Sequence, residues 1–187
     1  MMKKRFIAAC VMAIALVFTT GWAVAGGDAP ATAAIGPQYA QLARLAGHWS
    51  VQQSMWTAAD AAPVIDRGSA TYTMVLGGRH LRQELRIASG KPFEGLGYIG
   101  YDDVTGKYYS SWMDSNFAGV ILAYGTYDAA SRTYQFAGEM AAKGGAPVPV
   151  RELMRITDGD HFVYEYYETR GGKEALAIRL QYTRLDG

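Results

Sequence analysis

Residues 93–115 read F-E-G-L-G-Y-I-G-Y-D-D-V-T-G-K-Y-Y-S-S-W-M-D-S. Two aromatic-rich runs flank D-D-V-T-G at 102–106, so the stretch predicts two antiparallel strands joined by a tight turn. Glycines at 95, 97 and 100 thin the first of them. Working outward, the same grammar recurs. Period-two runs cover 49–56, 68–76, 80–88, 93–102, 107–115, 120–128, 133–141, 148–157, 161–169 and 174–184. Turn signals separate them: G-G-R at 77–79, S-G-K-P at 89–92, D-A-A-S-R at 128–132, G-G-A-P at 144–147, T-D-G-D at 157–160 and R-G-G-K at 170–173. Short loops imply sequential antiparallel pairing, and about ten twisted strands in that order leave two raw edges unless they close. The expected fold is all-β: a single antiparallel meander barrel of about ten strands.

Only one helix is expected in the domain. Tyr39, Leu42, Leu45 and Ala46 recur at helical spacing over 37–46, and Gly47 is a plausible stop. It is short enough to plug or flank a barrel. Upstream, Lys3, Lys4 and Arg5 precede an apolar run from Phe6 to Phe18, and Ala23-Val24-Ala25 supplies a small-x-small cleavage pattern. The run is shorter than the roughly 20 residues a membrane-spanning helix needs. Residues 1–25 are therefore expected to be a signal peptide and 26–36 a flexible linker. Residues 37–187 are the barrel domain, delivered to the periplasm. An uncleaved anchor, or a lipoprotein cleaved before Cys10, is the alternative.

Cleavage changes the bulk chemistry. The chain has 18 Lys+Arg and 17 Asp+Glu; the leader takes three cations and no acids, leaving 15 against 17 and a net charge of −2. That is no footprint for nucleic acid or anionic lipid. The one cysteine, Cys10, lies in the leader, so the mature domain has no disulfide and no thiol nucleophile. His48, His80 and His161 lack metal-ligand spacing, and no cofactor is expected. A haem on one histidine would fall to His161, beside Phe162. G-L-G-Y-I-G at 95–100 has dinucleotide spacing but continues into a strand instead of opening a helix. D-D-V-T-G lacks the calcium-loop pattern.

Alternation assigns two faces. One collects Trp49, Val51, Gln53, Met55, Tyr72, Met74, Leu76, Leu81, Gln83, Leu85 and Ile87. It continues through Tyr134, Phe136, Met140, Val150, Glu152, Met154, Ile156, Phe162, Tyr164, Tyr166, Leu176, Ile178, Leu180 and Tyr182. This face is expected inside, where a barrel of this size has room for one small molecule. Gln53, Gln83, Glu152 and Asp114 interrupt it, and each is either held in a structural network or kept for a ligand. Trp112 shares a face with Tyr108, Ser110 and Asp114, as core filler or as a stacking platform. The expected ligand-binding set is Tyr72, Gln83, Trp112, Asp114, Glu152 and Tyr164, facing a small apolar or aromatic ligand. Glu139, Arg151 and Glu165 fall on the outer face of successive strands and would pair as a ladder; were the faces inverted, they would become an internal charged cluster.

Gly47-His48-Trp49 resembles the G-x-W of lipocalin-type barrels. The resemblance implies that Trp49 closes the barrel floor and that a basic residue of the last strand, here Arg184, packs across it. The ordered set G-G-R (77–79), F-E-G-L-G-Y-I-G-Y-D (93–102), Y-Y-S-S-W-M-D-S (108–115), G-T-Y-D (125–128), G-E (138–139) and Y-T-R (182–184) resembles one uncharacterised bacterial family, domain of unknown function fifteen-seventy-nine. That resemblance spans 42–184 and implies a calycin-like barrel with no catalytic residues to carry over. Asn116-Phe117-Ala118 departs from the family's Met-Gly-rich turn. Three readings of function follow: a periplasmic small-molecule-binding barrel; an isomerase, cyclase or hydrolase using Asp114 or Glu152 with a tyrosine; or an envelope interaction module with an exposed apolar patch.

Overall fold

The computed structural model describes residues 36–58, 61–90 and 92–185. The expected leader, Cys10 and the linker up to residue 35 lie outside the described residues. A short helix, α1 (Pro37–Ala43), precedes ten strands: β1 (Gly47–Met55), β2 (Val64–Val75), β3 (His80–Ala88), β4 (Phe93–Asp102) and β5 (Lys107–Asp114), then β6 (Phe117–Asp128), β7 (Thr133–Met140), β8 (Val148–Ile156), β9 (His161–Arg170) and β10 (Lys173–Arg184). Each strand pairs antiparallel with its chain neighbour, and β1 also pairs with β10 from Trp49↔Arg184 to Met55↔Ile178. The sheet closes on itself, which removes the exposed edges that invite aggregation.

Pro37 sits in the first turn of α1, where its missing N–H belongs to the group of donors that have no intrahelical partner anyway. The helix ends at Ala43, four residues before the expected stop at Gly47. The N–H groups of Leu45 and Ala46 reach back three residues to Leu42 and Ala43, tightening the last turn. Gly47 opens β1 instead of capping the helix. Its φ of 138° favours glycine, and a Cβ there would meet Nη1 of Arg184. Gly47→Ala is expected to lower stability by about 1–3 kcal/mol through combined strain and overpacking; a urea-unfolding midpoint unchanged from the wild type would refute this.

The inward face is the one alternation predicts. Trp49, Tyr72, Leu81, Tyr134, Phe136, Met154, Phe162 and Tyr182 form one buried cluster with Leu42 of α1 and Leu45 just after it. The rings meet mostly edge to face, while Phe162 and Tyr182 stack at 4.1 Å. Tyr39 anchors the helix, its O–H donating to Asp103 Oδ2 at 2.7 Å, and Tyr108 donates to Gln41 Oε1 at 2.9 Å. One end of the barrel is thus filled and roofed by α1.

Two residues leave the expected face. Leu76 lies in the 76–79 turn with φ 51° and is 73% exposed. Leu176 pairs with Tyr167 on the outer row, because a bulge between Leu176 and Ile178 gives the inward position to Ala177. The charged ladder is outward but does not form. The register sets Arg151 opposite Ala137 and Tyr167. Its guanidinium therefore stacks on Tyr167 at 3.9 Å and reaches over β9 to grip Glu174 with two hydrogen bonds of 2.9 and 2.7 Å. Glu165 pairs with Arg179 instead. Among the described residues, no helix is long and apolar enough to cross a membrane.

Candidate functional site

The end away from α1 is built differently. Here β1, β3, β5, β7 and β9 finish and the even strands begin, so Phe93, Trp112, Phe117, Met140, Tyr164 and Ile178 all turn inward, yet none is fully buried. An inward side chain keeps accessible surface only where space lies beside it. These residues, with buried Ile121, Val150 and Tyr166, line the inner wall at this end of the barrel, which is the candidate chamber.

Glycines set how this wall packs. A Cβ on Gly95 would run into the Trp112 ring, and one on Gly97 would stand 2.7 Å from the Ser111 carbonyl and 2.9 Å from the ring's Cε3. Trp112 thus lies flat against β4, stacked at 20° on Phe93, with Nε1 donating to Asp114 Oδ2 at 2.9 Å. The second oxygen of Asp114 accepts from the N–H groups of Asn116 and Phe117 at 2.8 and 2.9 Å, an Asx turn that starts β6. The tripeptide where the family resemblance breaks down therefore sends Phe117 into the mouth. Gly95→Ala is expected to push the indole off the wall into the chamber, breaking its bond to Asp114 and costing about 1–3 kcal/mol; an unchanged Trp emission maximum would contradict it.

Deeper in, two small polar networks converge. Glu152 projects from β8 and is 2% exposed. Burial raises its carboxyl to about 7, against hydrogen bonds from Ser110 and Tyr164 that favour the ionised form. Its Oε2 has no hydrogen-bond partner. Burial also drives the Tyr164 phenol well above its ordinary value, helped by the Glu152 charge. Alongside, Tyr182 accepts from Tyr72 and, at 3.3 Å, from Gln83 Nε2. Burial raises both phenols, so they act as neutral hydrogen-bonding groups. Tyr72 itself belongs to the packed aromatic cluster.

Of the residues expected from the sequence, Glu152 and Tyr164 touch, Gln83 and Tyr72 share Tyr182, and Trp112 and Asp114 bond each other at the rim. Ser110, Phe117, Asp66 and Glu168 escaped the ligand set. Ser110 and Glu168 already had inward parity. Asp66, opposite Gln53, fell outside the expected start of β2. At the opposite end, the guanidinium carbon of Arg184 lies 4.1 Å over the Trp49 ring. His161 points outward, pairs with Asp158 at 3.0 Å and is 52% exposed, so its side chain does not face the chamber. Two shallow grooves are present. One of about 410 Å³ runs over the wall near Glu84, Glu94 and Met113 and reaches the rim at Gly95 and Asp114, and one of about 460 Å³ lies between α1 and Tyr127. Neither reaches Glu152. On the outer face, Val120, Leu122 and Tyr124 form an exposed apolar row along β6.

The barrel is similar to two solved structures. Rv2717c from M. tuberculosis is 17% identical with a TM-score of 0.62, covering 81% of this chain and 99% of that one. The S-type phycobiliprotein lyase CPES from Guillardia theta is 12% identical with a TM-score of 0.52, covering 82% and 99%. At such identities the likeness is one of fold. No curated protein matches the sequence. Residues 35–184, the whole closed barrel with its helix, match the family described as "Protein of unknown function (DUF1579)", and the chain belongs to that family.

Proposed function

We propose that this is an exported, periplasmic barrel that binds one small apolar or aromatic molecule in the chamber at the end away from α1. The observation that carries it is the contrast between the two ends. Aromatic side chains fill one, while at the other the inward-facing Phe93, Trp112, Phe117 and Tyr164 remain partly accessible around a buried carboxyl. Apolar walls with a few convergent polar groups are the usual make-up of a small-molecule site. The fold likeness to a phycobiliprotein lyase is compatible with such a use of the barrel. Export rests on the basic and apolar leader ahead of Ala25, and N-terminal sequencing of protein from the periplasmic fraction should begin at Gly26.

Titration with a naphthalene-based fluorophore tests the chamber, with energy transfer from Trp112 as the readout. Saturable transfer that Trp112→Phe weakens is the expected result. If neither transfer nor a co-purifying small molecule in native mass spectrometry is seen, the binding reading falls.

A second reading, acid–base catalysis, is favoured by one specific feature. Glu152 titrates near neutral pH in hydrogen-bond contact with the Tyr164 hydroxyl, and such a pair can take a proton at one atom and return it at another. It requires turnover of the bound molecule; recovery of every bound compound unchanged after prolonged incubation would leave binding alone.

A further inference from the structure

The charges around the chamber favour one class of guest. Strand register puts Asp66, Asp114, Glu152 and Glu168 on inward rows at or below the open end. The cations on inward rows, among the described strand residues, are Arg170 and Lys173 beside the rim turn at 171–172, and Arg184 beneath the floor. Arg170 is largely exposed and already engaged by Glu168 at 2.6 Å. Among the described residues, no cation acts on Glu152. Its Oε2, sealed from water and unpartnered, is an acceptor with nothing to accept from, and a buried polar atom left in that state is costly. The aromatic residues packed inward at this end are Phe93, Trp112, Phe117 and Tyr166, and aromatic ring faces attract positive charge through their quadrupoles.

Resting on the binding reading above, we propose that the chamber takes an organic cation: an apolar or aromatic body seated among Trp112, Phe93, Phe117 and Tyr166, with a primary ammonium group donating to Glu152. The ammonium supplies the donor that Oε2 lacks and the counter-charge that lets the carboxyl ionise. Reaching Oε2, which is sealed in this structure, requires the side chains packed over it to shift. The phenols of Tyr164 and Tyr166 and the carboxylates of Asp114 and Glu168 face the same region, and none of these competes as a cation. An anionic guest would meet the four carboxylates, with cations only at the rim, where Arg170 is held by Glu168 and Lys173 stands opposite it.

Three matched probes separate the possibilities: 1-naphthylmethylammonium, 1-naphthylmethanol and 1-naphthoate, measured by calorimetry at pH 8. The cation is expected to bind at least about tenfold tighter than the alcohol, with naphthoate the weakest, and Glu152→Gln should remove most of that preference while sparing the alcohol. On the wild-type protein, which does not depend on the variant folding, binding of the cation at pH 6.5 should release protons. The observed heat should then change with the ionisation enthalpy of the buffer, because a cation beside Glu152 lowers its affinity for a proton. If the alcohol or the anion binds as tightly as the cation, or if no proton is released, the assignment of a cationic guest is overturned while the chamber stands. If none of the three binds, both fall together.

Discussion

Glu152→Gln is expected to leave stability nearly unchanged at pH 4 and to raise it by about 3 kcal/mol at pH 8, the reverse of what removing a stabilising charge would do. The cause is burial. In the folded state the carboxyl titrates at about 7 against an ordinary 4.5. Below the lower value the group is protonated in both states and contributes no difference. Between the two values the folded chain holds a proton that the unfolded chain has released, so stability falls as pH rises. Above the upper value both states are ionised and the full cost of a buried, unpaired carboxylate is felt. Glutamine has the same shape and no charge, so the difference between variant and wild type isolates this one group. Carboxylates held below their usual range, Asp102, Asp128 and Asp158 by Asx-type hydrogen bonds and Glu174 by Arg151, lose stability only at the acid end, equally in both proteins. Urea unfolding at pH 4, 6 and 8 provides the measurement; parallel curves for the two proteins would show that Glu152 binds its proton equally well folded and unfolded, so that burial does not raise its carboxyl. The same cost is what a cationic guest would relieve, so the barrel trades stability at alkaline pH for an electrostatic anchor.

The fold was legible because closure needs only a rhythm and turn chemistry. The ten runs of alternating residues correspond to the ten observed strands, and the inward set from Trp49 to Tyr182 supplies the observed core, although Met55 at the open end is 37% exposed and Leu76 and Leu176 leave the face. Those two departures have one kind of cause. Period-two reading assumes an unbroken strand, and neither the positive φ at Leu76 nor the bulge at Ala177 has a side-chain signature of its own. The ladder of Glu139, Arg151 and Glu165 failed for a related reason: parity gives the face but not the register, and register decides which residue stands opposite. In the chamber, Glu152 and Tyr164 were visible as polar or phenolic interruptions of an apolar row. That Glu152 would meet Ser110 from β5, three strands away, was not, because contact across a barrel depends on its diameter and shear. The looser burial of one end was hidden too. It arises from Gly95 and Gly97 letting an indole lie flat, and the sequence shows the glycines but not the ring.

Trp49→Ala is expected to cost about 3–5 kcal/mol, the largest loss of any single truncation at the closed end. Trp49 is 1% exposed, meets Phe162 edge to face at 4.7 Å, and its Nε1 donates to the Leu45 carbonyl at 3.0 Å. Removing the ring opens a cavity and strands that carbonyl at the end of α1. It also withdraws the surface on which the Arg184 guanidinium rests. That guanidinium gathers the junction, donating to the carbonyls of Arg44 and Ala46 at 2.8 Å each and of Gly159 at 3.0 Å, while its carbon sits 4.1 Å over the indole. Tryptophan and arginine thus act as one device that ties the helix, the first strand and the last strand together where the barrel closes. Their truncations should therefore not add. Arg184→Ala in the Trp49→Ala background is expected to cost less than in the wild type, by about 0.5–2 kcal/mol. Arg184→Lys should not substitute, since one ammonium cannot reach three diverging carbonyls and also cover a ring. Urea unfolding of the four members of the cycle measures the coupling. Strict additivity would mean that the ring and the guanidinium are neighbours without interacting. A Trp49→Ala loss below about 1 kcal/mol would mean that barrel closure is secured elsewhere along the seven residue pairs joining β1 to β10.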